Sequence, residues 1–360
     1  MRVLIAPDKF AGTLTAVQAA EAIATGWRRH SPDDELDLAP MADGGPGFVD
    51  VLHTALGGSL EAVTVTGPHG DPVPAVVLRV GETAYVESAQ AAGLHLVSGS
   101  PETATSKGVG ELVLAAVAGG AKTVVVGLGG SGTTDGGAGV LSALGATGDA
   151  DLDAGPAGLA SVTSVDVSAA RARLAGVTLV AASDVDIPLT GLFGAAKTFG
   201  PQKGIGEDRI AEVDGWLEAF ATATDRRTSL DKGAGAAGGI GYALLLLGAT
   251  REPGIDLVVA AVSLAERARA ADLVVTGEGA FDFSSRSGKV PYGVAELASQ
   301  ALVPCIALAG QVLIGSREMR ALGVESAYST VDLVGEAASF ADPAGSLAKL
   351  AERAARTWSR

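Results

Sequence analysis

An apolar run that leads directly into a glycine loop and then into a helix-like segment most restricts the fold of this chain. The run TVVV at 123–126 precedes GLGGSGTTDGG at 127–137, and AGVLSALGA follows at 138–146. A buried strand, a tight turn and a helix in succession form the repeating unit of parallel α/β proteins. The sequence therefore predicts an α/β protein with this loop at the end of a strand.

The glycine loop carries four polar side chains, those of Ser131, Thr133, Thr134 and Asp135. Exposed backbone N–H groups and hydroxyls in such a loop can hold a phosphate and its metal ion, which points to phosphoryl chemistry. A plain strand-to-helix turn with a Thr or Asp cap is the alternative, but one cap does not require four polar residues. We assign five loop residues to nucleotide phosphates: Gly129, Gly130, Ser131, Thr133 and Thr134.

Short aliphatic runs alternate with Ala-rich helical stretches along much of the chain. This alternation is typical of parallel α/β architecture rather than of a sandwich. We expect the strand candidates to join one doubly wound, Rossmann-like sheet with helices on both faces. The candidates are 3–6, 123–126, 272–277 and 304–310, and the helix candidates are 15–29, 108–118 and 290–300.

A chain of 360 residues is longer than most domains with a single hydrophobic core, so two domains are expected. Residues 63–88 alternate like a hairpin, and 147–178 are irregular and acidic, which sets both apart from the rest. We take them as parts of a second, inserted α/β domain. The predicted core domain comprises 1–60, 100–145 and 236–360, and the inserted domain comprises 61–99 and 146–235.

Composition excludes several classes of protein. The formal charge of −15 and the pI near 4.7 disfavour nucleic acid or an anionic membrane as partner. Cys305 is the only cysteine, which excludes disulfide frameworks and Cys-based zinc sites, and its apolar surroundings predict an inert core thiol. Asp8 interrupts the N-terminus before an apolar signal segment could form, so we expect a cytoplasmic protein.

Carboxylates follow several predicted strands. Because ligands of open parallel sheets bind at the carboxyl ends of the strands, these residues are the candidates for a Mg²⁺-nucleotide site. Three lysines in or near such loops could neutralise phosphate charge. The carboxylates are Asp8, Asp43, Asp135, Asp184, Glu278 and Asp282, and the lysines are Lys9, Lys203 and Lys289.

Structural interpretations remain open for several of these residues. Asp43 fits an Asx turn, Asp184 fits a cap, and Lys203 fits a solvated charge. The G-x-G-x-x-G within 233–241 follows a polar segment rather than a strand, so it predicts packing against a ligand or a neighbouring backbone instead of a dinucleotide site. The P-loop pattern and the protein kinase patterns are absent from the sequence, which excludes those classes of phosphotransferase.

Taken in order, the motifs resemble those of the bacterial glycerate kinase family, and specifically of type 1 glycerate 2-kinases. The resemblance is colinear from residue 3 to about residue 312. It rests on APDKFAGTLTA (6–16), MADGGPG (41–47), ESAQAAGL (87–94), the glycine loop, SDVDIPLTGLFGA (183–195), FGPQKG (199–204), GAGAAGGIG (233–241) and TGEGAFDFSSRSGKVPYGVA (276–295). Six positions depart from the family pattern: Ala11, Pro46, Thr134, Ile187, Ser284 and Ser285.

The resemblance implies ATP-dependent phosphorylation of D-glycerate, usually at the 2-hydroxyl, with Mg²⁺ and two discontinuous α/β domains that flank the active site. We assign Asp184 and Asp135 to metal binding or base function without separating the roles. Glycerate's carboxylate requires a cation, for which Lys9 and Lys289 are candidates. The remaining assignments are Asp43 as catalytic, Asp8 and Asp282 as substrate-binding, and Lys203 and Glu278 as nucleotide-binding.

Two other functions are weighed beside this one. An NAD-dependent dehydrogenase is suggested by GLGGSG at 127–132, but no strand ending in an acid follows at the required distance. A sugar-acid sensor that has lost activity through the six departures is the second. The predicted partners are a small acid and a nucleotide, and a homodimer is possible.

Overall fold

A computed structural model describes residues 1–282 and 290–359 and places them in two compact units. The first unit comprises 1–43, 50–56 and 255–360, and the second comprises 44–49 and 57–254. Each unit contains its own sheet with helices, so the predicted two-domain α/β fold is confirmed.

The elements alternate between strand and helix through most of the chain. The first half contains β1 (Arg2–Pro7), α1 (Ala16–His30), β2 (Glu35–Leu38), α2 (Phe48–Leu56), β3 (Ser59–Thr66), β4 (Pro72–Val80), β5 (Thr83–Glu87), α3 (Ala89–Ala92), α4 (Lys107–Ala118), β6 (Thr123–Gly127), α5 (Ala138–Ala143), β7 (Thr147–Gly148), β8 (Val165–Asp166), α6 (Ser168–Arg173) and β9 (Thr178–Ala182). The second half contains α7 (Ala195–Phe199), α8 (Ile210–Ala223), α9 (Ile240–Leu246), β10 (Thr250–Glu252), α10 (Gly254–Ala261), α11 (Leu264–Arg269), β11 (Leu273–Gly277), β12 (Ala280–Phe281), α12 (Val290–Gln300), β13 (Cys305–Ala309), β14 (Gln311–Val312), α13 (Ser316–Ala321), β15 (Ser326–Ser329), α14 (Thr330–Val334), α15 (Glu336–Ala341) and α16 (Pro343–Trp358).

The sheet of the first unit is entirely parallel, in the order β15-β13-β11-β1-β2. Its three central strands, β13, β11 and β1, are nearly continuous apolar runs because both faces are covered, as in doubly wound proteins. Alternate residues such as Val3, Ile5 and Val275 pack with α1 and α16 on one face, and α12 packs on the sheet as well. Cys305 is buried in β13, as expected for a core residue, and burial raises the pKa of its thiol to about 12.

Helix α1 begins in a capping box and packs closely on α16. The Thr15 hydroxyl accepts from the Gln18 backbone N–H, and the Gln18 side chain accepts from the Thr15 N–H, which satisfies two backbone donors at the helix start. Gly26 lies at the contact: a Cβ atom there would be 1.9 Å from the Ala348 carbonyl oxygen of α16. The approach of the two backbones therefore requires glycine.

We expect Gly26→Ala to lower the free energy of unfolding by about 3 kcal/mol, because the added methyl group meets backbone atoms that cannot move aside. Gly215→Ala in α8 is the matched control, since nothing lies within 4 Å of its Cβ position. That control is expected to gain about 0.5–1 kcal/mol from helix propensity. Urea unfolding followed by circular dichroism measures both, and equal stabilities would contradict the packing argument.

The sheet of the second unit has the order β10-β9-β6-β5-β4-β3. Strands β5, β6, β9 and β10 are parallel, whereas β3 and β4 form an antiparallel hairpin at one edge. The hairpin confirms the alternation predicted for 63–88. The acidic segment 147–178 contains the short antiparallel pair β7 and β8 and the helix α6.

The prediction of one doubly wound sheet is corrected by this topology. β6 pairs with β5 and β9 in the second unit rather than with β1 and β11, so residues 100–145 and 236–254 lie outside the unit that contains the N-terminal strand. An apolar run such as 123–126 shows that a strand is buried. It does not show which sheet the strand joins, because the hydrophobic effect is not directional.

The helices of both units are short. The longest are α16 with 16 residues and α1 with 15. Across 1–282 and 290–359, no helix combines the length and the apolar character that a bilayer crossing demands.

Candidate active-site groups in the two units

Charged side chains of the first unit follow the carboxyl ends of its central strands. Asp8 and Lys9 follow β1, Asp43 lies in the turn after β2, and Glu278 follows β11. β1 and β11 are in register up to Pro7 and Gly277, and the Asp8 N–H donates to the Gly277 carbonyl at 2.8 Å. These groups therefore share one edge of a parallel sheet, where open α/β proteins bind ligands.

Lys9 lies between two carboxylates. Its Nζ is 3.5 Å from Asp8 Oδ1 and 3.6 Å from Asp43 Oδ1. Burial raises the pKa of Asp8 to about 6, although Lys9 opposes the shift. Burial alone would lower the pKa of Lys9, but attraction to Asp8 and Asp43 outweighs it and the pKa is raised. Lys9 is therefore the cation of a compact charged cluster with Asp8 and Asp43.

The other two predicted carboxylates of this unit lie along the chain after β11. Glu278 is buried at 6% exposure, and its backbone carbonyl accepts from the Gly310 N–H at 3.1 Å, which joins the ends of β11 and β13. Asp282 is partly exposed directly after β12. The predictions for Lys289, Ser284 and Ser285 concern residues outside the described ranges.

In the second unit, three parallel strands end together at the glycine loop. Glu87 of β5, Gly127 of β6 and Ala182 of β9 are neighbours across the sheet. The Ser88 N–H donates to the Gly127 carbonyl at 3.0 Å, and the Leu128 N–H donates to the Ala182 carbonyl at 2.9 Å. The prediction that the loop lies at the carboxyl end of a strand is confirmed.

Glu87 lies at this edge too, although the sequence pattern did not single it out as a site residue. It is 5% exposed, and its Oε2 accepts from the backbone N–H groups of Gly47 at 3.0 Å and Val49 at 3.4 Å. The carboxylate thus holds the MADGGPG loop from β5. Its position at the end of a short β-branched run, TAYVE, was the available signal.

Close contacts with residues 45–46 explain why two positions of the loop are glycine. A Cβ on Gly129 would be 2.6 Å from the Gly45 Cα, and one on Gly130 would be 2.7 Å from the Pro46 side chain. Gly130 also has a φ of +67°, which other residues rarely adopt. Pro46, one of the departures from the family pattern, therefore packs directly on the glycine loop.

Asp135 is fully buried and holds the loop in shape. Its Oδ2 accepts from the Ser106 N–H and hydroxyl, both at 2.8 Å, and from the Gly139 N–H at 3.3 Å; its Oδ1 accepts from the Gly137 N–H at 3.0 Å. Burial raises the pKa of Asp135, and these hydrogen bonds oppose the shift. These hydrogen bonds hold the loop at the start of α5, and the assignment of Asp135 to metal binding or base function stays a prediction.

Lys203 lies beneath the glycine loop rather than in solvent. Its side chain is 5% exposed, and Nζ donates to the Ser131 hydroxyl at 3.0 Å and to the Thr133 carbonyl at 2.7 Å. Burial lowers the pKa of Lys203 to about 7, with Asp135 opposing the shift. The solvated-charge interpretation is wrong, because FGPQKG folds into a short 3-10 helix, Pro201–Lys203, that turns the lysine inward.

The hydroxyls of Thr133, Thr134 and Ser88 are buried without a hydrogen-bond partner in the part of the chain that the structure describes. An unsatisfied buried hydroxyl costs roughly 1–3 kcal/mol. Such groups are usually explained by a function or by a bound water molecule or ion. All three lie at the ends of β5 and β6, around the loop that Lys203 supports.

The glycine-rich segment 233–241 packs against the same loop. A Cβ on Gly238 would be 1.9 Å from the Thr133 carbonyl oxygen, and the Gly136 N–H donates to the Gly238 carbonyl at 3.0 Å. Ala237, Gly238 and Gly239 all have positive φ. The expectation that this segment packs against neighbouring backbone is confirmed.

Asp184 follows β9 and is partly exposed, unlike Asp135. Its neighbour Asp186 is exposed and pairs with Lys232 at 3.3 Å and Arg251 at 2.5 Å. Within the described ranges, no three His, Cys, Asp or Glu side chains form a metal-holding group. Ile187, another departure, packs against Gly235, whose N–H donates to the Ile187 carbonyl at 3.0 Å.

The protein is thus a two-domain α/β protein. Charged loops follow the strands of its first unit, and a hydroxyl-rich glycine loop follows a strand of its second unit. The glycerate kinase family model matches residues 3–359. A glycerate kinase of Bacillus subtilis is 42% identical over 92% of this chain and 90% of its own length. Glycerate 2-kinase of Escherichia coli is 38% identical over 93% of this chain and 92% of its own length.

A solved structure gives the same result. A protein of Salmonella typhimurium LT2 assigned as glycerate kinase 2 matches with a TM-score of 0.80 and 36% identity, over 99% of this chain and 98% of its own. The chain belongs to the glycerate kinase family and is a kinase. The resemblance read from the motifs is therefore confirmed.

Proposed function

We propose that the protein transfers a phosphoryl group from ATP to the 2-hydroxyl of D-glycerate, with Mg²⁺, in the cytoplasm. The observation that carries the nucleotide assignment is the glycine loop of the second unit. Lys203 donates hydrogen bonds to Ser131 and Thr133 of this loop, and the hydroxyls of Thr133 and Thr134 have no hydrogen-bond partner among the described residues. Phosphoryl transfer depends mainly on positioning and charge neutralisation, which backbone N–H groups, hydroxyls and a lysine supply. The E. coli relative named glycerate 2-kinase supports the 2-position.

The donor set suits Mg²⁺ at Asp184. Mg²⁺ prefers oxygen ligands and keeps several waters and phosphate oxygens, so one or two carboxylates suffice. Asp184 offers a partly exposed carboxylate at the end of β9, whereas Asp135 is fully buried. A bound Mg²⁺ would neutralise phosphate charge, and Asp184 would either hold it or accept the proton of the attacking hydroxyl.

The first unit supplies groups that match glycerate. The ammonium of Lys9 fits the carboxylate of the acid, and the carboxylates of Asp8, Asp43 and Asp282 can accept hydrogen bonds from its hydroxyls. The assignments of Glu278 to the nucleotide and of Lys289 to the acid stay predictions. The formation of a homodimer stays a prediction as well.

A coupled assay of ADP release with D-glycerate, followed by phosphorus NMR of the product, tests the proposal. We expect ADP formation that depends on D-glycerate and Mg²⁺, and a product resonance of 2-phosphoglycerate. A 3-phosphoglycerate product would overturn the regiochemistry alone. Stabilisation by glycerate without ADP release would instead favour the sensor, and tight binding of NAD in place of ATP would favour the dehydrogenase.

We expect Lys9→Ala to raise the KM for D-glycerate roughly tenfold or more, with a smaller change in kcat, because a charge-assisted contact to the acid is lost. Lys122→Ala is the control, since this exposed lysine pairs with Glu82 at the surface. Steady-state kinetics at saturating ATP measures both variants. An unchanged KM for glycerate would reassign Lys9 to holding Asp8 and Asp43 in place.

A further inference from the structure

The first unit contains a cavity of about 210 Å³ that the site described above does not use. Its walls come from segments that follow four adjacent strands of the parallel sheet: 10–13 after β1, 279–280 after β11, 310–311 after β13 and 330–331 after β15. The remaining wall is formed by residues 339–343. The cavity thus opens at the carboxyl edge of the sheet, where ligands of this fold class bind.

The lining of the cavity is neutral. Phe10, Val331, Phe340 and Pro343 supply apolar surface, and among the described residues none of the lining side chains is charged. Phe340 is 60% exposed, whereas the adjacent Ser339 of the same helix is buried. A large aromatic ring left at the mouth of a cavity provides a surface on which a flat ring can stack.

One polar side chain of the lining remains available. The hydroxyls of Thr330 and Ser339 bond to each other at 2.7 Å, and Thr330 also donates to the Gly310 carbonyl. The amide of Gln311, by contrast, makes no hydrogen bond to any residue in 1–282 or 290–359. Gln311 is partly buried, in register with Ala280 across β14 and β12. Its amide presents both a donor and an acceptor, the pair needed to recognise the edge of a heterocycle.

We infer that this cavity binds the purine base of the nucleotide that serves as phosphoryl donor. The inference rests on the proposed function, which requires a nucleoside triphosphate. Glycerate is a small anion, and an anion is costly to bury in a neutral pocket without a cation. A purine is neutral and flat, so it can stack on the exposed ring of Phe340. It also donates and accepts hydrogen bonds along one edge, which the amide of Gln311 can match.

Two substitutions test the assignment. Phe340→Ala is expected to raise the KM for ATP, and the dissociation constant of ATP measured without glycerate, roughly tenfold through lost stacking. Gln311→Met keeps the length of the side chain but removes its hydrogen bonds, and it is expected to reduce the preference for ATP over GTP. In both variants the KM for D-glycerate and kcat should remain within about twofold of the wild type.

Leu302→Ala is the matched control, because Leu302 is a 92% exposed apolar residue of the same unit that precedes β13, at the opposite edge of the sheet. Its ATP affinity should equal that of the wild type. If the wild type phosphorylates glycerate with ATP while Phe340→Ala and Gln311→Met leave ATP affinity unchanged, the purine assignment is overturned and the proposed function stands. If the wild type neither binds ATP nor releases ADP, the proposed function and the purine assignment both fail.

Discussion

Asp184→Asn lowers kcat by on the order of 10²-fold or more if the Asp184 carboxylate binds the metal ion or acts as the base. Asn preserves the size of the side chain and one acceptor oxygen, but it carries no charge and cannot take up a proton. Steady-state kinetics at saturating ATP and glycerate gives the comparison. The KM values are expected to change less than kcat, because the lost interaction is strongest in the transition state.

Asp186→Asn controls for the general loss of a negative charge in the same loop. Asp186 lies two residues further along, is exposed, and pairs with Lys232 and Arg251 at the surface. Surface ion pairs contribute about 0–1 kcal/mol, so this variant should turn over nearly as fast as the wild type. Near-normal turnover of Asp184→Asn, with unchanged thermal stability, would leave Asp184 as a cap and remove it from the proposed mechanism.

The position of residues along the sheet edges was largely predictable from sequence. A carboxylate directly after an apolar run must lie near the end of a strand, and Asp8, Glu278 and Asp184 all do. The same rule did not separate Asp135 from Asp184. Both follow strands in glycine-rich or small-residue contexts, and only the fold shows that Asp135 is fully buried against Ser106, from a distant segment, while Asp184 is partly exposed.

Other features depended on contacts that no local pattern encodes. The sheet to which β6 belongs is decided by its neighbours β5 and β9, and the inward position of Lys203 is decided by the packing of its short 3-10 helix under the loop. The cavity beside Phe340 brings together segments from both ends of the sequence. Its lining is ordinary in composition, so its residues carry no signal when they are read singly.

The glycine loop lies at the end of β6 as predicted, but the predicted role in phosphate binding does not account for all of its glycines. Its hydroxyl residues Ser131, Thr133 and Thr134 are buried rather than exposed. Gly129 and Gly130 are also needed because the MADGGPG loop, held by Glu87, lies against them. Sequence shows that small residues are required at such positions, but it does not distinguish a ligand from a neighbouring backbone as the cause.

Lys203→Met is expected to lower kcat/KM by on the order of 10²-fold, because the loop loses the donor that joins Ser131 to Thr133 and its nearest buried cation. Met is unbranched and similar in length, so the variant keeps the volume and removes only the amine. If Lys203 merely fills space, Met should preserve the activity. Lys197→Met, an exposed lysine six residues earlier, is the matched control and should behave as the wild type.

The pH dependence separates the charge of Lys203 from its packing. Burial lowers its pKa to about 7 in the folded protein, against 10.5 in an ordinary lysine. Between these values the unfolded chain binds a proton that the folded chain does not, so the contribution of Lys203 to stability rises with pH across that window. Activity that needs the ammonium should change in the opposite sense, and kcat/KM should fall as pH rises through about 7.

A bound phosphate raises the pKa of a neighbouring ammonium, so the corresponding fall in kcat should occur at higher pH than the fall in kcat/KM. Lys203→Met should abolish the fall near pH 7, and Lys197→Met should retain it. A Lys203→Met enzyme that keeps wild-type kcat/KM and still loses activity above pH 7 would show that another group titrates there. The glycine loop would then hold its shape through Asp135 and the packing of Gly238 alone.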